Sequence, residues 1–253
     1  ATNRTGQEDE SVVEDSITEN YITVFNLDSS DTLEERGSVQ LGEKDEVITA
    51  VRFFDDLAYC ATFEQTDPFY VVDLKTLSIL GSFKLNGFSN YLHPINEERT
   101  LLVGIGQNAT DDGEVTGLMI TVFDVADPSV PEVLVSYTVD DRPEGSDSAS
   151  IRSTAQWDYK SFRYIDGKLI LPLDIVAYST EGSTADAIRQ TIVGSFEGFV
   201  VFNVSPDSIT EHTRISHSTI ACHFCGYLSP RSFVYDGNVI TAEGNIVSST
   251  SLN

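Results

Sequence analysis

The sharpest chemical grouping in this sequence is His217, Cys222, His223 and Cys225, four potential ligands within nine residues. Thiolates and imidazoles at such spacing can hold a zinc ion. A single Cys-x-x-Cys knuckle normally needs a second ligand pair elsewhere. Outside the reducing cytosol, two such thiols more often oxidise to each other. Three readings follow for Cys222 and Cys225: a local disulfide, which is the expected one, free thiols, or a metal site that would include His217 and His223. The third cysteine, Cys60, lies in the apolar run LAYCATFE. There it reads as a small core hydrophobe.

Other groupings are weaker. His93 sits in the phrase Tyr91-Leu92-His93-Pro94, either facing a central channel or satisfied by packing. Carboxylates cluster at Asp28/Asp31, at Asp111, Asp112 and Glu114, and at Asp140/Asp141. Hard oxygen ligands suit calcium. None of these clusters fits the twelve-residue calcium loop, and Asp in turns commonly bonds its own backbone. No Gly-x-Ser-x-Gly occurs, and Gly104-Ile105-Gly106 opens no helix for a phosphate. The expectation is a protein with no catalytic residues, no resident metal and no cofactor.

The elements that carry these residues repeat. Residues 21–41, 69–85, 118–139 and 198–216 each read as an apolar strand ending in Asp or Asn, a polar turn, and a second strand. The turn-opening residues Asn26, Asp73, Asp124 and Asn203 are spaced by 47, 51 and 79. A period of this size made only of short strands predicts an all-β fold, a β-propeller of four-stranded antiparallel blades. Between these outer hairpins lie inner ones at 47–64, 89–107, 158–176 and 230–244, with turns at Asp55-Asp56, Asn96 to Arg99, Asp166-Gly167 and Asp236-Gly237. Asp-Gly between apolar strands is a strong hairpin signal.

Three whole blades therefore span about 47–85, 89–139 and 158–216. The chain starts on an outer pair and ends on an inner pair with a last strand near 245–252, giving about four blades. One blade is then split between the termini, or completed by another chain, or the chain is part of a larger ring. Residues 1–20, with six acids and few apolar side chains, read as a solvated lead-in to a propeller domain at 21–253. Two stretches break the period: 140–157, and 178–197, where 184–193 has the pattern of one or two helical turns.

Charge narrows the partners. Forty acidic residues against fifteen Lys and Arg give a net charge of −25. Such a field disfavours nucleic acid and anionic membranes. No apolar run is long enough to cross a bilayer as a helix. Protein partners, self-association through blade edges and glycans remain. Asn3, Asn108 and Asn203 open N-x-[ST] sequons, Asn108 in a polar stretch read as a loop, so glycosylation is plausible on a secretory route.

The phrases Thr66-Asp67-Pro68-Phe69-Tyr70-Val71-Val72-Asp73-Leu74, Gly87-Phe88-Ser89-Asn90-Tyr91-Leu92-His93-Pro94 and Arg214-Ile215-Ser216-His217 follow one another in this order. Together they resemble the secreted beta-propeller domain family of bacteria and archaea, distant relatives of WD40 propellers. The resemblance covers about 21–244 and implies an extracellular or cell-surface propeller without catalytic residues to carry over. Family members have further strands before the point where this chain begins, so it resembles a C-terminal portion or a minimal version. They also tend to have His where this chain has Tyr159, so no chemistry of that His transfers. The reading reached is a non-catalytic extracellular propeller acting as a structural, assembly or binding module, such as the subunit of a cell-surface or extracellular filament. The alternative is a secreted hydrolase or metal-dependent enzyme with the two long stretches as a lid.

Overall fold

The computed structural model describes residues 19–27, 32–43, 46–63, 67–85, 87–110, 115–181, 189–217 and 229–252. They form five antiparallel sheets in chain order. The first is a hairpin, β1 (Asn20–Leu27) with β2 (Leu33–Leu41). The second has the order β3 (Val47–Phe54), β4 (Leu57–Phe63), β5 (Asp67–Asp73), β6 (Ser78–Leu85). The third is β7 (Phe88–Pro94), β8 (Leu101–Ala109), β9 (Val115–Asp124), β10 (Glu132–Val139). In the fourth, β11 (Ser148–Arg152) and β12 (Arg163–Ile165) share one edge of β13 (Lys168–Glu181), followed by β14 (Arg189–Ser205) and β15 (Ser208–Ser216). The last holds β16 (Arg231–Tyr235), β17 (Asn238–Glu243) and β18 (Ile246–Ser251).

Each sheet is a blade stacked face to face on the next. The middle strands of a blade are therefore covered on both sides and need near-continuous apolar runs. The runs LAYCATF on β4 and GLMITVF on β9 are buried along almost their whole length. The outermost strands β6 and β15 are mostly exposed or half-buried. Between the second and third sheets, Tyr59, Phe69 and Val71 meet Leu92, Leu102 and Phe123. Between the third and fourth, Val103, Ile105 and Ile120 meet Leu171, Leu173 and Val200. Ile22 and Leu41 of the first hairpin pack on Ala58, Cys60 and Val72. Val239 of the last sheet packs beside Phe199 and Val201.

Local chemistry sets the turns. Asp166-Gly167 and Asp236-Gly237 all have positive φ, +47° and +74°, then +48° and +69°, as a two-residue type I′ hairpin requires. The repeat-marking Asp73 accepts from the backbone N–H of Lys75 and Thr76, at 2.6 and 3.1 Å, and Asp124 from that of Ala126 at 2.8 Å. These are turn-forming carboxylates. Gly106 has no substitute: a Cβ there would lie 1.5 Å from the Phe88 carbonyl oxygen, so the Gly-Ile-Gly phrase serves the close approach of β7 to β8.

A second repeat was hidden in the register. In every outer hairpin the pairing slips by one residue opposite the two positions before the turn-opening Asp or Asn. Arg36, Leu80, Leu134 and His212 are the extra residues, on β2, β6, β10 and β15. The inner strands β3 and β7 carry matching bulges at Thr49 and Asn90. The shared slip identifies β1–β2 as the outer half of a blade.

Two expectations change. The split blade does not close on itself among the described residues. The position beside β17 that β1 would take is filled by β18, through pairs such as Ala242 with Val247, and β1 and β2 pair with each other. The first and last sheets thus have two and three strands among the described residues. Nor are the two long stretches without regular strand in their described parts. Residues 148–152 are the inner strand β11, while 178–181 and 189–197 extend β13 and β14 into a long hairpin, with Tyr178 opposite Ile192. The described residues 189–193 are strand, not helix: Thr191, Ile192 and Val193 are β-branched and cross-strand pairing outweighs local helical periodicity.

Candidate functional site

The inner strands bring together a cluster of aromatic and basic side chains. Tyr91 and His93 are two apart on β7 and so share a face. The Tyr91 hydroxyl lies 3.3 Å from His93 Nδ1. Phe162 packs against both rings, with centroids at 4.9 and 4.8 Å, and Tyr164 on β12 stands 6.4 Å from His93. Burial, reinforced by the Arg52 charge, pushes the His93 imidazole down to about 4, so it is neutral at physiological pH. Burial also raises the Tyr91 phenol, opposed by Arg52 and aided by Tyr159. Arg52, on β3, has its guanidinium 5.5 Å from the Phe54 ring centroid, and its buried Nε has no hydrogen-bond partner among the described residues.

Beside this cluster two short 3₁₀ turns, Thr154–Gln156 and Tyr159–Ser161, hold Trp157 and Tyr159 out into solvent, 69% and 64% exposed. The turns are firmly built. Ser153 and Gln156 form a reciprocal capping box, and Asp158 caps the second turn through Lys160 N–H. The Gln156 side-chain amide donates to Asn90 Oδ1 at 2.9 Å, reaching the bulge of β7. Arg231 from the last sheet donates to Asp158 Oδ2 at 2.9 Å and to Ser161 Oγ at 3.0 Å. Arg163 donates twice to the Ser232 carbonyl.

A second polar group is sealed between the fourth and fifth sheets. His217 is buried, its ring 5.3 Å from that of Phe199. Its Nε2 lies 2.8 Å from Thr241 Oγ1, and its Nδ1 lies 3.7 Å from Glu243 Oε2. Neither of those last two atoms has a hydrogen-bond partner among the described residues. Burial, with help from the charges of Glu197 and Asp174, raises the Glu243 carboxyl to about 7, while burial lowers His217.

The structure distributes the sequence-predicted residues as follows. Cys222, His223, Cys225, Asn3, Asp28, Asp31, Asp111, Asp112 and Glu114 lie outside the described residues, and with them the disulfide and metal readings. Among the described residues no group of three or more His, Cys, Asp or Glu is placed to hold a metal ion. Asp140 is taken by Arg142 at 2.6 and 2.7 Å, and Asp141 by Arg214. Cys60 is fully buried and its thiol is pushed up to about 12 by burial, as a core filler should be. Asn108 sits at the end of strand β8 rather than in a loop, its amide donating to Thr116 Oγ1 at 2.6 Å. Asn203 is within β14, between Lys168 and Thr210. Arg52 and Trp157 carried no motif. The signal available for Trp157 was that it is the chain's only tryptophan and stands in a polar stretch.

An uncharacterized protein of Methanocaldococcus jannaschii is 43% identical over 98 residues, 38% of this chain and 15% of that protein. Another, from Archaeoglobus fulgidus, is 41% identical over 103 residues, 40% of this chain and 15% of that protein. The matched part of the chain thus spans about a seventh of the length of either relative. Among solved structures, BamB from Moraxella catarrhalis covers 93% of this chain and 88% of its own, at 9% identity and a TM-score of 0.27. The family described as Beta propeller domain matches residues 2–253, the stretch that contains all five sheets, and the chain belongs to that family.

Proposed function

We propose that this propeller scaffold is a non-catalytic, extracellular module for binding and assembly, whose partial blades are completed by β-strands of the same kind from outside the described residues. One observation carries the reading. Among the described residues the last sheet has three strands and one apolar face without a cover: Phe233 and Tyr235 of β16 are exposed, and Val247 of β18 is 71% exposed. At the other end Tyr21 and Phe25 of β1 and Phe53 of β3 are exposed in the same way. In the interior of the chain every such face is covered by the next blade. Apolar faces of this kind mark contact sites, and an open strand edge is a template for pairing.

The sequons and the acidic composition support an extracellular setting, where glycans and a high anionic charge are common. The enzyme alternative needed its two long stretches as a lid, and the described parts of both include regular strand. Light scattering and electron microscopy test the proposal. Rings or filaments built by strand sharing are expected. A stable monomer with a closed ring would refute the assembly reading.

A further inference from the structure

The junction between the fourth and fifth sheets is built unlike the others. Where the second sheet meets the third, Tyr59, Phe69 and Val71 interlock with Leu92, Leu102 and Phe123. Among the described residues of the last sheet, Val239 is the one buried apolar side chain, set against Phe199 and Val201. The other side chains it buries, Ser232 and Thr241, are polar. They are cross-strand partners and so lie on one face. Polar anchors hold this sheet in place. Arg231 donates to Asp158 and Ser161, Ser161 Oγ to the Pro230 carbonyl at 2.8 Å, and Arg163 to the Ser232 carbonyl.

The same junction concentrates unmet polar groups. Four buried side-chain atoms have no hydrogen-bond partner among the described residues, and three of them are here: His217 Nδ1, Ser232 Oγ and Glu243 Oε2. Such atoms are costly in a sealed interface, and water satisfies them once the sheets part. A thin apolar contact offers little to offset that cost. The charges acting on Glu243 are those of Glu197 on β14 and Asp174 on β13, both negative, and each opposes its ionisation. Arg152 of β11 is the cross-strand partner of Asp174. His217 stands directly opposite Glu243, and burial favours its neutral form.

We propose that the last sheet is a pH-gated flap: it lies docked on the fourth sheet while Glu243 carries its proton, and parts from it as that proton is lost. The protonated carboxyl is a donor, and a small rotation closes its 3.7 Å gap to an unprotonated His217 Nδ1. The carboxylate has no proton to give and is left buried beside two like charges. Glu243 is raised from 4.5 to about 7, so docking is firmest on the acid side and weakens as pH rises through about 7. His217 acts in the opposite sense, through protonation of its buried ring at lower pH. Parting bares Phe199, Val201 and Ile215 of the fourth sheet, an apolar face fit for contact. The device works within one molecule and does not depend on the assembly reading.

Thiol labelling tests it, with Ser232→Cys in a Cys222→Ser/Cys225→Ser background. Ser232 Oγ has no hydrogen bond to lose among the described residues, and its position is shielded while the sheet is docked. Cys60, buried in the second sheet, is the internal control for global unfolding. At pH 8.5 a dithiopyridine reagent is expected to label position 232 at least about tenfold faster than Cys60. Glu243→Gln should slow that labelling by a factor roughly tenfold larger at pH 8.5 than at pH 5.5. Comparing the two proteins at one pH cancels the ionisation of the thiol itself. In the unmodified protein, hydrogen exchange corrected for intrinsic rates should show β16–β18 losing protection above pH 7 before β8 and β9. Labelling of position 232 no faster than Cys60 at pH 8.5, or equally fast with and without Glu243→Gln, would overturn the proposal. So would loss of protection in β8 and β9 together with β16–β18.

Discussion

His217 Nδ1 and Glu243 Oε2 face each other 3.7 Å apart at the junction of the fourth and fifth sheets, both atoms buried and neither hydrogen-bonded among the described residues. Glu243 is raised to about 7, so near pH 6 its carboxyl is mostly protonated, and burial favours the neutral form of His217; the contact there is no ion pair. The native state holds the Glu243 proton longer than the unfolded chain does. Its contribution to stability is therefore full below the unfolded carboxyl value and is lost as pH rises through about 7. The cost above that pH is roughly 3 kcal/mol. Glu243→Gln should raise the thermal midpoint at pH 8.5 and change it little at pH 5. His217 works in the opposite sense, losing stability as pH falls below its ordinary range, and His217→Gln should blunt that acid limb. Thermal melts across pH 4–9 check both.

Phe123 is fully buried and stacks on Phe69 at 5.0 Å, with Phe83 at 5.8 Å, tying the second blade to the third. Phe123→Ala should cost about 3–5 kcal/mol. Denaturant titration measures it.

Gly106→Ala should be worse tolerated than its size suggests. The added methyl would collide with the Phe88 backbone carbonyl, and backbone cannot swing aside as a side-chain tip can. The expected loss is about 3 kcal/mol or more, from overpacking and a broken bulge. The readout is soluble yield together with the melting midpoint.

Cys60 should be inert in the folded protein. Its thiol is fully buried and held near 12, so almost no thiolate exists at neutral pH. In a Cys222→Ser/Cys225→Ser background, a thiol reagent should find no reactive group before denaturation and one after it. Labelling of the native variant would contradict this placement.

Tyr235→Lys and Val247→Lys put charge on the exposed face of the last sheet. They should reduce assembly while leaving the melting midpoint within about 0.5 kcal/mol of the parent's stability. Analytical ultracentrifugation and melting, read together, separate the two effects.

The repeat of hairpins was readable because it is written in local chemistry. Asp73 and Asp124 bond their own turns, Asp-Gly supplies two positive φ values, and strands covered on both faces must be apolar throughout. Strand β11 escaped because Ser148-Ala-Ser-Ile-Arg152 has one buried apolar side chain, and its place comes from pairing with residues 174–178, far along the chain. The extension of β13 and β14 escaped for the same reason, Tyr178 meeting Ile192 across a hairpin. The position of β18 decided the closure question, and only register shows it. At the site, His93 was visible as a residue type. The isolation of Arg52 was not, because it depends on which carboxylates do not reach it.

The one-residue slips at Arg36, Leu80, Leu134 and His212 bear on how such a molecule stays in solution. Every one falls on the rim strand of its blade, where a straight strand would offer its unused amides and carbonyls to any passing chain. An extra residue bends that strand and puts its free groups out of step with a regular partner. Along the circumference the described blades are in this way made unreceptive, four times over.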